Sequence, residues 1–96
     1  MEDKIFEKIQ AMSIGEITAE LYKLGAFINY IKSECDGTLL IVEHQGWLIY
    51  SIGFDRKDAF ELALEEVYYS QELIKKGELQ PFNIDKNGRR KDGKRR

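Results

Sequence analysis

The sequence predicts an α+β fold with the order α-α-β-β-α, in which an antiparallel β-hairpin packs against helices. Three observations favour this class. Apolar residues recur at helical spacing in the N-terminal third, two adjacent segments are rich in β-branched and aromatic residues, and a second helical pattern follows them. Because the helices and the hairpin are segregated along the chain, the class is α+β.

Two helices are predicted before the hairpin. The first covers residues 3–12. Ser13-Ile-Gly-Glu16 then matches a capping box, in which the serine side chain and the glutamate three residues later satisfy each other's backbone N–H groups. We therefore expect a second helix over residues 14–34. Its apolar residues follow spacings of three and four, and they are Ile14, Ile17, Leu21, Leu24, Ile28 and Ile31.

The hairpin is predicted from residues 38–44 and 47–54, with Gln45-Gly46 as a two-residue turn. This turn pairs residues whose numbers sum to 91. One face then carries Leu39, Ile41, Leu48, Tyr50, Ile52 and Phe54. The opposite face carries Leu40, Val42, His44, Trp47, Ile49 and Ser51. We expect helices to cover the first face and a partner to cover the second.

A third helix follows the hairpin. Asp55 is the expected N-cap, with Asp58 as the competing choice, and Gly77 is the expected stop after Lys76. The main apolar face of this helix consists of Phe60, Ala63, Leu64, Val67 and Ile74. Residues 79–84 either add a short edge strand or drape over the body, because Pro81 excludes a central strand position.

Charge divides the chain into an acidic domain over residues 1–84 and a basic tail over residues 85–96. The first part holds 8 Lys and Arg against 15 Asp and Glu, and the second holds 7 against 2, so their net charges are −7 and +5. The tail contains no apolar residue and is expected to be disordered on its own. With no targeting segment and no membrane span in the sequence, the cytoplasm is the expected location.

No motif in the sequence predicts catalysis, a cofactor or a metal site. The chain has one cysteine and one histidine, and its eight glycines form no phosphate-binding loop. We expect Cys35 to be a semi-buried reduced thiol and His44 to be a solvent-facing residue beside the hairpin turn. The sequence therefore predicts a non-enzymatic protein.

Apolar residues on two sides of the hairpin and of the third helix indicate a contact surface. The predicted partner-binding residues are Leu40, Val42, Trp47, Ile49, Leu62, Tyr69 and Leu73. We expect a homodimer, with a monomer that covers these residues internally as the alternative. No membrane contact is expected.

Two charged features extend this interpretation. An acidic ridge along the third helix consists of Asp58, Glu61, Glu65 and Glu72, and the sequence offers no evident cation on that helix to neutralise it. Such a ridge could occupy a nucleic-acid-binding groove of another protein. The tail could instead contact phosphates in a nucleic-acid accessory protein, through Arg89, Arg90, Lys91, Lys94, Arg95 and Arg96.

The stretch over residues 46–64, Gly-Trp-Leu-Ile-Tyr-Ser-Ile-Gly-Phe-Asp-Arg-Lys-Asp-Ala-Phe-Glu-Leu-Ala-Leu, resembles the strand–strand–helix end of many small phage and prophage proteins. The resemblance covers 19 of 96 residues, about a fifth of the chain, and assigns no functional residue. It motivates one specific hypothesis, a phage-type inhibitor that presents the acidic ridge to a host protein in the host cytoplasm.

Overall fold

The computed structural model describes residues 3–79 and confirms the α+β class. Two helices come first, then a three-stranded antiparallel sheet in the order β1-β2-β3, then a third helix. The elements are α1 (Asp3–Gln10), α2 (Ile14–Lys23), β1 (Ala26–Glu34), β2 (Gly37–His44), β3 (Trp47–Gly53) and α3 (Arg56–Lys75). The segment predicted as an edge strand and the basic tail lie outside the described residues, apart from Leu79.

The prediction of one long helix over residues 14–34 was wrong beyond Lys23. The capping box forms as expected, with the Ser13 N–H donating to Glu16 Oε1 at 2.8 Å. The helix ends at Lys23 with Leu24 as its C-cap, and Gly25 follows with a φ of 84°. A glycine in this left-handed conformation is a common way to terminate a helix, since other residues pay a steric penalty there. Ala26 then begins a strand instead of another helical turn.

A β-bulge explains why the strand β1 imitates a helix in the sequence. Ile28 pairs with Val42, but the next pair joins Tyr30 to Ile41, so Asn29 is an extra residue in β1. Without a bulge, residues three apart would lie on opposite faces of a strand. With it, Ile28 and Ile31 lie on the same face, and their spacing of three continues the helical pattern of α2.

The hairpin of β2 and β3 has the predicted register. His44 pairs with Trp47 at the turn, and Thr38 pairs with Gly53 at the far end. Gln45 and Gly46 have φ values of 54° and 86°. Two consecutive residues with positive φ are typical of a type I′ turn, whose twist matches that of the strands it joins.

The expected assignment of the two sheet faces was wrong. Leu40 and Val42 are completely buried beneath the helices, whereas Ile52 and Phe54 are 71% and 88% exposed. Both faces of the hairpin carry apolar residues, so alternation alone could not distinguish the covered face from the open one. We call the covered face the inner face and the opposite one the outer face.

One hydrophobic core lies between the inner face and the helices. Its buried members are Ile9, Ile17, Leu21, Ala26, Leu40, Val42, Ala59, Phe60, Ala63, Leu64 and Val67. The three helices all contribute to it, so they form one layer on one side of the sheet. Among residues 3–79, no helix combines the length and apolar character needed to cross a membrane.

The longest helix, α3, has well-defined ends. The Asp55 side chain accepts from the Asp58 N–H at 2.9 Å, which confirms Asp55 as the N-cap. At the other end, the Glu78 N–H donates to Leu73 O at 2.8 Å and the Gly77 N–H to Ile74 O at 3.1 Å. These two bonds form a Schellman motif, as the predicted glycine stop requires.

The end of β3 approaches the start of α3 so closely that only glycine fits at position 53. A Cβ added to Gly53 would lie 2.4 Å from the Ala59 backbone nitrogen and 2.7 Å from Asp58 Cβ. Neither neighbour can move without shifting α3. This contact fixes where the helix begins relative to the sheet.

We predict that Gly53→Ala lowers the free energy of unfolding by about 2 kcal/mol or more, because the added methyl group forces the backbone apart. Urea denaturation followed by circular dichroism measures the change. Gly15→Ala is the matched control, since its Cβ would meet only Ser13 Oγ at an ordinary 3.9 Å. Equal stability of both variants would contradict the close-approach interpretation.

Candidate functional site

The outer face of the sheet presents three rows of side chains that run across the strands. Each row contains one side chain from each of the three strands. The pairing of the strands places Phe27 beside Glu43 and Leu48, then Tyr30 beside Ile41 and Tyr50, then Lys32 beside Leu39 and Ile52. Seven of these nine side chains are aliphatic or aromatic. The rows therefore form a continuous apolar surface that spans the full width of the sheet.

The apolar side chains of the outer face are well exposed to solvent. The exposed fractions are 55% for Phe27, 47% for Tyr30, 50% for Leu48, 62% for Tyr50 and 71% for Ile52. Two further rings extend the surface at its margins. Tyr22 of α2 packs against Phe27 with ring centroids 5.7 Å apart, and Phe54 follows β3. Contiguous apolar surface of this kind is typical of an interaction site rather than of scattered surface residues.

Charged groups on the outer face are few and occupy opposite ends of it. Lys32 lies in the last row, where its Nζ is 3.1 Å from Glu34 Oε2. Glu43 lies in the first row, half-buried on the central strand between Phe27 and Leu48. The middle row of Tyr30, Ile41 and Tyr50 carries no charge. The face is thus apolar at its centre, with Glu43 at one end and the Lys32–Glu34 ion pair at the other.

The predicted partner-binding residues do not form one surface. Leu40 and Val42 are completely buried in the core, and Trp47 and Ile49 are half-buried on the inner face. Their burial corrects the expectation that this side of the hairpin meets a partner. On α3, Leu62 and Leu73 are half-buried, whereas Tyr69 is exposed.

The sequence interpretation missed the contribution of β1 to the candidate surface. Phe27, Tyr30 and Lys32 were assigned to a helix, although Lys23-Leu24-Gly25 carries the signals of a helix end. The aromatic and β-branched residues that follow Gly25 are typical of a strand. Together these signals predict a third strand and hence a broader sheet.

Two of the four acidic-ridge carboxylates have partners close by. Asp58 Oδ2 accepts from the Phe54 N–H at 3.2 Å, and Glu61 Oε2 lies 2.7 Å from Lys57 Nζ. The second contact corrects the expectation that no cation on α3 neutralises the ridge, because Lys57 lies one turn before Glu61 on the same helix. Glu72 is exposed. Glu65 is half-buried, and burial is the main cause that raises its pKa, followed by the charges of Glu61 and Glu66.

The expected environments of the histidine and the cysteine were both wrong. His44 is completely buried on the inner face, where Nδ1 lies 3.1 Å from Ser70 Oγ and Nε2 lies 3.0 Å from Gln71 Oε1. Since an amide oxygen can only accept, Nε2 donates, and the histidine joins β2 to α3. Cys35 is exposed in the turn between β1 and β2. His44 thus has a structural role that satisfies both ring nitrogens.

A groove of about 740 Å³ lies between α1, the end of α2 and the second half of α3. Its lining consists of Ile5, Leu24, Tyr68, Tyr69, Gln71, Glu72, Lys75 and Lys76. The Tyr68 hydroxyl donates to Glu20 Oε2 at 2.7 Å. Burial, then this hydrogen bond and then the charge of Glu20 raise the pKa of Tyr68 to about 12. Tyr68 therefore stays a neutral phenol that holds α2 against α3.

Within residues 3–79, no group of three or more His, Cys, Asp or Glu side chains could hold a metal ion. The tail residues from Arg89 to Arg96 lie outside the described part of the chain. Comparison with known proteins found no match among protein-family models, curated proteins or solved structures. The candidate site therefore rests on the geometry of the outer face.

We predict that Glu65→Gln stabilises the protein at pH 7 by a few tenths of a kcal/mol, because it removes a disfavoured charge from the folded state. The gain should be full above the raised pKa of Glu65 in the folded protein. It should disappear as the pH falls through that value toward 4.5, where the folded and unfolded states both become protonated. Urea denaturation between pH 7 and pH 4 measures it.

The control for this prediction is Glu72→Gln, which removes the same charge from an exposed position on the same helix. A stabilisation that is equal in both variants would show that total charge, and not the surroundings of Glu65, causes the effect. A gain at Glu65 that persists unchanged at pH 4 would also contradict the assignment.

Proposed function

We propose that this chain is a non-enzymatic protein-interaction module whose contact surface is the outer face of its sheet. One observation carries the proposal: Phe27, Tyr30, Leu48, Tyr50 and Ile52 are about half to three-quarters exposed on a single face of the sheet. Burial of one such large side chain contributes roughly 1.5–3 kcal/mol. Because these side chains are already partly buried, covering the face gains only part of that value for each one, and this gain acts against the ordering and association costs.

The flatness of a sheet favours a macromolecular partner over a small ligand. Small-molecule sites are concave and enclose most of the ligand surface. The three rows of the outer face lie on one pleated sheet, with neighbouring strands about 4.8 Å apart, and they include aromatic residues on both edge strands. Tyr and Phe are enriched at protein interfaces because they contribute a large contact area at low entropic cost.

Photo-cross-linking tests this proposal directly. We expect benzoylphenylalanine at position 50, on the outer face, to form covalent adducts with a protein partner when the producing cells are irradiated. The control places the same residue at position 72, which is exposed on α3 and belongs to the acidic ridge. Adducts at position 72 and none at position 50 would contradict the outer-face proposal and favour the acidic-ridge inhibitor.

A nucleic-acid accessory role for the basic tail stays the alternative. Its support is the net charge of +5 over residues 85–96. Under this alternative, single-stranded or duplex DNA is retarded in a gel by the full-length chain, and the retardation is lost in the 1–84 truncation and at high salt. Equal and negligible retardation by both chains would eliminate it.

A further inference from the structure

We infer that the partner on the outer face is a second copy of this chain, packed sheet against sheet. The two copies are related by a two-fold axis that lies midway between the sheets, parallel to their planes and perpendicular to the strands. The inference rests on the proposed function and adds the identity and orientation of the partner. Two-fold dimers are the commonest oligomers, and a two-fold axis requires a surface that complements itself. The distribution of charge and size on the outer face meets this requirement.

The axis runs along the middle row of Tyr30, Ile41 and Tyr50, in the plane between the two copies of that row. Rotation about it places each of these residues opposite its own copy and exchanges the first row with the third. Leu48 then lies opposite the partner's Ile52, two exposed aliphatic side chains of similar size. Sheets that pack face to face with their strands roughly aligned are a standard arrangement, with about 10 Å between them.

Charge complementarity selects this axis. Glu43 lies in the first row of the central strand, and Lys32 lies in the third row of the neighbouring strand. The rotation brings Glu43 opposite the partner's Leu39. The partner's Lys32 lies on the strand next to Leu39, so it is displaced sideways from Glu43 by one strand spacing of about 4.8 Å. Lys32 is exposed in its pair with Glu34, so its ammonium group can also reach the partner's Glu43 across the gap. The same contact occurs twice, once for each copy.

The alternative two-fold axis, parallel to the strands, is disfavoured on the same grounds. It keeps each row opposite itself, so that Glu43 meets the partner's Glu43 between the apolar side chains of the first row. Like charges placed opposite each other and removed from water destabilise an interface. That arrangement also leaves Lys32 opposite the partner's Ile52 with no carboxylate across the interface.

The size of the outer face fits a reversible dimer. Three strands are about 15 Å wide and eight residues are about 27 Å long, which gives a footprint of about 400 Å² on each copy. Tyr22 and Phe54 enlarge it at the margins. The two footprints total about 800 Å², which is below the roughly 1,200 Å² at which stable interfaces begin, so we expect a weak dimer that dissociates at micromolar concentrations.

The charges of the face disfavour a nucleic-acid strand as the occupant. Lys32 is the cation within the three rows, and with Glu43 in the first row and Glu34 3.1 Å from Lys32 the face carries no excess of positive charge. Glu43 would face the phosphates of a strand lying on the central row. Sequence-independent binding of a nucleic-acid strand needs a positively charged groove as well as stacking rings.

Sedimentation equilibrium on the full-length chain tests the inference. From about 5 to about 500 μM, the apparent mass should rise from 11.2 kDa toward twice that value by mass action. Lys32→Glu and Glu43→Lys should each raise the dimer Kd by about tenfold, because each places like charges together. The double variant should restore the Kd to within about threefold of the original, since it exchanges the two charges.

Two controls separate the interface from general effects of charge and from folding. Glu66→Lys changes the charge by the same amount as Glu43→Lys, but at an exposed position on α3 away from the outer face, and should leave the Kd within about twofold. Ile52→Lys, at an exposed position, should abolish the dimer. Circular dichroism melting curves confirm that each variant is folded.

The outcomes distinguish the inference from the proposed function. A mass of 11.2 kDa at every concentration overturns the dimer. If position 50 then forms adducts with a different protein, the proposed function still stands. If position 50 forms no adducts, the dimer and the proposed function are both overturned. A dimer that persists in Ile52→Lys contradicts the assignment of the outer face as the interface. A dimer whose Kd is unchanged by Lys32→Glu contradicts the two-fold axis perpendicular to the strands. Binding of labelled oligouridine that is lost in a Tyr30→Ala, Tyr50→Ala variant overturns the protein partner.

Discussion

The placement of all three helices on one side of a three-stranded sheet is the constraint on which the rest of this structure depends. A chain with 77 described residues has enough helix to cover one face of its sheet, and the single core joins the inner face to all three helices. The outer face has no covering layer within the described residues. Its apolar side chains consequently meet solvent or another molecule.

The inner face is specialised for this one-sided packing. Gly53 allows α3 to begin directly against the end of β3, and His44 joins the other end of the sheet to α3 through Ser70 and Gln71. Tyr68 adds a bond from α3 to Glu20 of α2. These contacts hold the helix layer in place, and so they also fix which residues of each strand point outward.

Local signals in the sequence were sufficient for much of the fold. The capping box at Ser13, the two-residue turn at Gln45-Gly46 and both ends of α3 follow from short-range chemistry, and each is confirmed. The bulge at Asn29 defeated the prediction of β1, because it gives a strand the spacing of a helix. The covered face of the hairpin could not be predicted either, since the choice between two apolar faces depends on where the helices pack.

The prediction from sequence missed the candidate site for the same two reasons. Without β1, Phe27 and Tyr30 were absent from the sheet. With the faces exchanged, Leu48, Tyr50 and Ile52 were placed beneath helices. The predicted surplus of apolar surface is present in the fold, but it lies on the outer face, and its distribution of charge became visible only with the register of all three strands.

Methyl NMR spectra recorded over a dilution series test the central claim most directly. If the outer face meets a second copy of the chain, the methyl resonances of Ile41, Leu48 and Ile52 shift with concentration, while those of the buried Leu21 and Leu64 stay constant. Methyl spectra that do not change with concentration, or changes centred on α3, would contradict the account.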